Sequence, residues 1–157
     1  VFHSLRLRHK GERAECSRAT TFARHQVICV ASSSPEVLPA LARADKLQRR
    51  AATVGFDWDE VAPVLEKVQE EIAELSRAIG DSAETRAELG DVLFAVANLG
   101  RHLGVDPELA LRQANTRFGA RFRAMEEAAA ASGVSLGELS LAQLEELWEA
   151  AKAAEGR

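Results

Sequence analysis

The sequence predicts an all-α fold, an antiparallel bundle of four to five helices, and three observations carry that expectation. Alanine, leucine, glutamate and arginine dominate, tyrosine is absent, and only four prolines interrupt 157 residues, a profile that favours helix over sheet. From residue 38 onward apolar side chains recur at helical spacing. Short connections containing glycine, serine or aspartate separate the periodic segments, which favours antiparallel neighbours. A chain of this length holds one domain with a core and is too short for two comfortable ones.

Residues 1–34 have no sustained helical or strand period and end in Ser32-Ser33-Ser34-Pro35. They are expected to form a disordered or loosely attached extension, with the helical domain over residues 35–157. The first helix runs from about Pro39 to Thr53, with proline suited to the first turn, Leu41 and Leu47 available for burial, and Gly55 as the stop. Asp57 is the expected N-cap of a second helix reaching Ile79, whose stripe Val61, Leu65, Val68, Ile72, Leu75 and Ile79 reads as its core face. After the Gly80-Asp81 turn, Ser82 can cap a third helix that ends at Leu103 before Gly104, with Leu89, Val92, Val96, Leu99 and Leu103 on one side. Asp106-Pro107-Glu108 combines an acidic cap, a first-position proline and an acidic first turn, and so starts a long fourth helix through Phe118, Phe122 and Met125 to about Ala131. Ser140-Leu141-Ala142-Gln143 reads as a capping box that opens a last helix bearing Leu144, Leu147 and Trp148.

Charge and cysteine content narrow the function classes. Residues 1–34 carry six basic and two acidic side chains, a net +4, while the other 14 basic and 22 acidic residues make the remainder −8. An acidic body repels phosphate-bearing ligands unless local arginines or bound cations intervene. The basic arm has no helical periodicity and no nucleic-acid-binding module, so no nucleic acid partner is expected. Cys16 and Cys29 form no metal-type spacing with the histidines and no disulfide framework, which points to the reducing cytoplasm. No apolar run approaches the roughly 20 residues that cross a bilayer, so no membrane association is expected.

The chemistry lies in two pairs of acids. Glu71 and Glu74, with Lys67 and Ala78, form a stripe along the second helix, rotated by about 100° from its apolar stripe. Glu88 and Asp91 share a face of the third helix, extended one turn by Glu84, again at the border of the apolar side. A single Glu-x-x-Glu usually marks a solvated face. Two such pairs on consecutive antiparallel helices bring four carboxylates together, an arrangement that is costly unless a cation neutralises them. An all-oxygen ligand set without histidine selects Mg²⁺, with Mn²⁺ as a substitute, over zinc, copper or iron. Gly90, inside a helix where glycine costs about 1 kcal/mol, suggests close packing or room for a ligand beside Asp91.

Glu70-Glu71-x-x-Glu74 followed by Glu88-x-x-Asp91 resembles the signature of the MazG family of all-α nucleoside triphosphate pyrophosphohydrolases. Further stretches are similar to that family: Arg49 to Trp58, Gly90-Asp91-Val92-Leu93-Phe94-Ala95, and Asn115-Thr116-Arg117-Phe118-Gly119-Ala120-Arg121-Phe122. The resemblance covers roughly residues 38–152, is to the C-terminal domain of two-domain members, and does not reach residues 1–34. It implies hydrolysis of a nucleoside triphosphate to monophosphate and pyrophosphate, with Mg²⁺ held by Glu71, Glu74, Glu88 and Asp91. It also implies phosphate contacts from Lys67, Arg117 and Arg121, a nucleotide contact from Trp148, and assembly as dimers or tetramers in which two chains complete each site. Asn115 is placed to order water or a ligand carboxylate, and Glu70, just off the ligand stripe, can complete the shell or accept the attacking water's proton. Against these readings stand ordinary ones: an exposed basic face for Arg117 and Arg121, core packing for Trp148, core or interface for Phe56 and Trp58, and a helix-terminus role for His102. The competing function is a catalytically silent helical module for oligomerisation or nucleotide binding. A redox di-metal bundle would need Glu-x-x-His pairs that this chain lacks.

Overall fold

The computed structural model describes residues 38–155, and the expectation for residues 1–34 lies outside them. The elements of the described residues are all helices: α1 (Ala40–Ala52), α2 (Val61–Ala78), α3 (Ser82–His102), α4 (Pro107–Ala131), a 3₁₀ turn (Leu136–Glu138) and α5 (Leu141–Glu155). Helices α2 and α3 form a tightly packed hairpin, α1 lies against α3 and α4, and α5 packs on α4.

Several starts follow the expected chemistry. Asp106 caps α4 by accepting the Leu109 N–H at 2.9 Å, with Pro107 in the first turn. The Ser140 box at α5 forms reciprocally, since Ser140 N–H donates to Gln143 Oε1 at 2.9 Å and Gln143 N–H donates to Ser140 Oγ at 3.4 Å. Two caps differ. Asp81, not Ser82, caps α3: its Oδ1 accepts from both Ala83 and Glu84 N–H, and a charged acceptor at a helix N-terminus is favoured by the dipole. Asp57 does not cap α2, which begins four residues later. Its carboxylate is taken by Arg101 and His102 at the end of α3, and a charged pair outweighs a terminal N–H.

The largest departure concerns which side of α2 is inside. The buried residues are Val64, Val68, Glu71 and Ala78, with Leu75 half-buried, whereas Val61, Leu65, Ile72 and Ile79 from the expected core stripe are exposed. On α3 the buried residues are Ala97 and Asn98, Val92 and Leu99 are half-buried, and Leu89, Val96 and Leu103 are exposed. The buried side of α2 is the one that carries Glu71, and most of the larger apolar side chains of the expected stripe turn outward. The core of the described residues is correspondingly alanine-rich, and Val64 is its largest fully buried side chain.

Candidate metal centre

Three of the four expected acids come together, and Glu74 does not join them. One carboxylate oxygen from each of Glu71, Glu88 and Asp91 lies within 4.8 Å of the others, so two helices contribute to a single point. Glu71 is buried, Glu88 half-buried and Asp91 exposed, giving the cluster a closed floor on α2 and an open mouth. Glu74 lies outside this tight group, with its Oε1 3.6 Å from Arg77. It stays near enough for its charge to act on Glu88 and Asp91.

The electrostatics are those of a crowded anionic site. Partial desolvation raises the Glu88 carboxyl above its ordinary value, and the charges of Glu74, Asp91, Glu71 and Glu84 add to the rise. Desolvation also raises Asp91, helped by Glu71 and Glu74 and opposed by Lys67. Lys67 Nζ sits 2.6 Å from Glu71 Oε1 and 3.2 Å from Glu70 Oε1. Burial alone would lower its pKa, but the hydrogen bonds to Glu71 and Glu70 outweigh that and raise it. Converging carboxylate oxygens with no nitrogen or sulfur among them suit a hard divalent cation. Among the described residues a Cβ at Gly90 would meet nothing within 4 Å, so packing against them does not require that glycine, and they leave space beside Asp91.

The other candidate residues stand on a different pair of helices. Asn115, Arg117 and Arg121 belong to α4 and Trp148 to α5. Trp148 is half-buried, its ring centroid 5.3 Å from that of Phe118, with the Arg121 guanidinium 5.6 Å from its centroid. Phe118 stacks in turn on Phe122 at 5.9 Å. The result is an aromatic and cationic surface with Phe118 and Phe122 still exposed, so Trp148 is neither plain core nor detached from a basic side chain.

A second polar cluster was not anticipated. Arg101 Nη1 donates to Asp57 Oδ2 at 2.8 Å, its Nη2 pairs with Oδ1, and His102 Nε2 lies 3.0 Å from Oδ1. Arg101 also donates to buried Asn98 through Nε at 3.0 Å and Nη2 at 2.8 Å. Buried Gln48 on α1 donates to the Phe94 carbonyl at 2.8 Å. His102 thus faces a carboxylate more than a helix terminus. Asn98 lies seven residues beyond Asp91 on the same stripe, and Gln48 falls on the Leu41–Ala44 side of α1; those periodicities are the signals that could have found them.

Known proteins resemble about three quarters of this chain. The family described as phosphoribosyl-ATP pyrophosphohydrolase matches residues 42–118. A nucleoside triphosphate pyrophosphohydrolase of Escherichia coli (strain K12) is 47% identical over 122 residues, which cover 75% of this chain and 46% of that protein. The nucleoside triphosphate pyrophosphohydrolase/pyrophosphatase MazG of Thermotoga maritima is 47% identical over 116 residues, 74% of this chain and 45% of its own length. The uncharacterized protein YabN of Bacillus subtilis is 44% identical over 128 residues, 80% of this chain and 26% of that protein. The chain spans about half the length of the first two relatives, or less.

Proposed function

The chain belongs to the MazG family, and from that premise we propose that it is a hydrolase that cleaves nucleoside triphosphates to monophosphate and pyrophosphate, with Mg²⁺ or, in its place, Mn²⁺ as cofactor. The observation that carries the reading is the convergence of Glu71, Glu88 and Asp91 from two helices onto one point. Glu74 would complete a ligand set of four carboxylates. When bound, the cation neutralises phosphate oxygens and acidifies a coordinated water.

The chain's own side chains supply the remaining roles. Glu70, exposed and one residue from Glu71, accepts the proton of the attacking water. Lys67, Arg117 and Arg121 bind the phosphate chain, Asn115 orders water, and Trp148 offers an indole face for a base to stack on. We place this activity in residues 35–157 and in the cytoplasm. Among the described residues, no helix is long and apolar enough to cross a membrane.

A second copy of the chain is part of the proposal. Leu65, Ile72 and Ile79 line one face of α2, and Leu89, Leu93 and Val96 one face of α3, all at least 43% exposed. Large apolar side chains exposed in this number on two packed helices favour a face that is covered in use, and a dimer or tetramer would cover it and bring α4 and α5 of one copy toward the acids of another. The test of the activity is pyrophosphate release from a panel of ribo-, deoxy- and modified nucleoside triphosphates with Mg²⁺. Release from none of them, with saturable Mg²⁺ binding also absent, would favour the catalytically silent module.

A further inference from the structure

Lys67 stands inside the carboxylate cluster and not beside it. Its ammonium is 2.6 Å from an oxygen of Glu71, the buried member of the converging group, and 3.2 Å from Glu70, and its side chain is only 20% exposed. The ammonium also acts electrostatically on Asp91, the member contributed by the other helix. A divalent cation bound to Glu71 at about 2.1 Å would lie within a few ångströms of that nitrogen, and like charges at such range repel strongly where solvent is partly excluded. Even if the two cations take different oxygens of Glu71, that repulsion weakens the hold of each on the carboxylate.

The geometry points to Lys67 as an exchangeable counter-ion: it neutralises the acids while no metal is bound, and an entering divalent cation expels it from Glu71 toward the open mouth of the site. This inference rests on the metal centre proposed above. Lysine suits the task because its ammonium is a point charge on a flexible four-carbon stem, so it can swing without moving α2. It has an ordering consequence. Only after the metal has entered is the ammonium released to meet an anionic ligand, so the cation binds before the triphosphate.

The test is Mn²⁺ binding to the full chain without nucleotide, read from the electron paramagnetic resonance of free Mn²⁺, together with melting in EDTA and in saturating Mn²⁺. Lys67→Met keeps the apolar stem and removes the competing charge, so it should bind Mn²⁺ about fivefold more tightly, the scale of one partly buried ion pair. It should also melt lower than the unaltered chain in EDTA, and the difference should shrink in Mn²⁺. Lys67→Arg should do the opposite to affinity, because a guanidinium grips carboxylates bidentately and is harder to expel. Unchanged or weaker binding by Lys67→Met, with saturable binding in the unaltered chain, would overturn the exchange alone. No saturable Mn²⁺ binding in either protein would overturn the metal centre and the exchange together.

Discussion

Glu71 is buried, pairs with Lys67 and converges with Glu88 and Asp91, so its charge serves both the resting protein and the proposed metal centre. Glu71→Gln keeps the shape and removes a ligand charge. It should lower pyrophosphate release by at least about a hundredfold, the equivalent of a few kcal/mol of transition-state stabilisation. Asp91→Asn should do the same to turnover, yet leave the metal-free protein as stable or more so, since desolvation and the charges of Glu71 and Glu74 already burden that carboxyl. Wild-type turnover by either variant at saturating Mg²⁺ would remove these residues from the site. The acids could be read from sequence because each pair repeats at helical spacing and sits at an apolar border. Gln48 and Asn98 carry only the periodicity of their stripes, which many helical residues share, and burial is what singles them out. Asp57 and Arg101 lie 44 residues apart, and no local spacing announces such a pair.

Between elements, the Asp57 pair fastens the α1–α2 loop to the end of α3. The hydrogen bond from Arg101, aided by those from His102 and the Trp58 N–H, lowers the Asp57 pKa from 3.8 to about 2. A depressed carboxyl stabilises the fold above its unfolded value and loses that contribution as pH falls through the folded one. Melting temperature should therefore drop between about pH 4 and pH 2, and Asp57→Asn should flatten that limb while lowering stability at neutral pH by about 2 kcal/mol, since Arg101 is left poorly paired. A variant with the acid limb intact would show that other carboxylates govern it. Gly100 offers a test of packing. Exposed helical Gly→Ala changes gain about 1 kcal/mol, but a Cβ at Gly100 would lie 3.1 Å from the Val105 carbonyl and 3.4 Å from Pro107 Cβ, where α4 begins. Gly100→Ala should therefore lose about 1 kcal/mol or more in chemical denaturation, and a gain would mean that the α3–α4 turn yields. Helix identities were legible because caps and periods are local signals. The buried side of α2 was not, since Leu65 and Ile72 satisfy the period equally well whether they face α3 or another molecule.

For the whole molecule, those outward stripes and the placement of acids and arginines on different helices lead to one experiment. Glu71, Glu88 and Asp91 stand on the α2–α3 hairpin, while Arg121 and Trp148 stand on α4 and α5. If two copies pair through the exposed faces of α2 and α3, each site takes its acids from one chain and its arginine from the other. Glu71→Gln and Arg121→Ala chains, each inactive alone, then complement when mixed. In a mixed dimer one site combines the intact Glu71 of one chain with the intact Arg121 of the other, and the second site carries both lesions. Random pairing makes half the dimers mixed, so the mixture should recover about a quarter of wild-type turnover, a ratio that follows from the two-fold symmetry alone. Melting temperature should rise with protein concentration for the same reason, because association stabilises the folded chain by mass action. A site built wholly within one chain gives no recovery at any mixing ratio, and a monomer by light scattering at micromolar concentration would leave Leu65, Ile72 and their neighbours without a partner copy to explain their exposure.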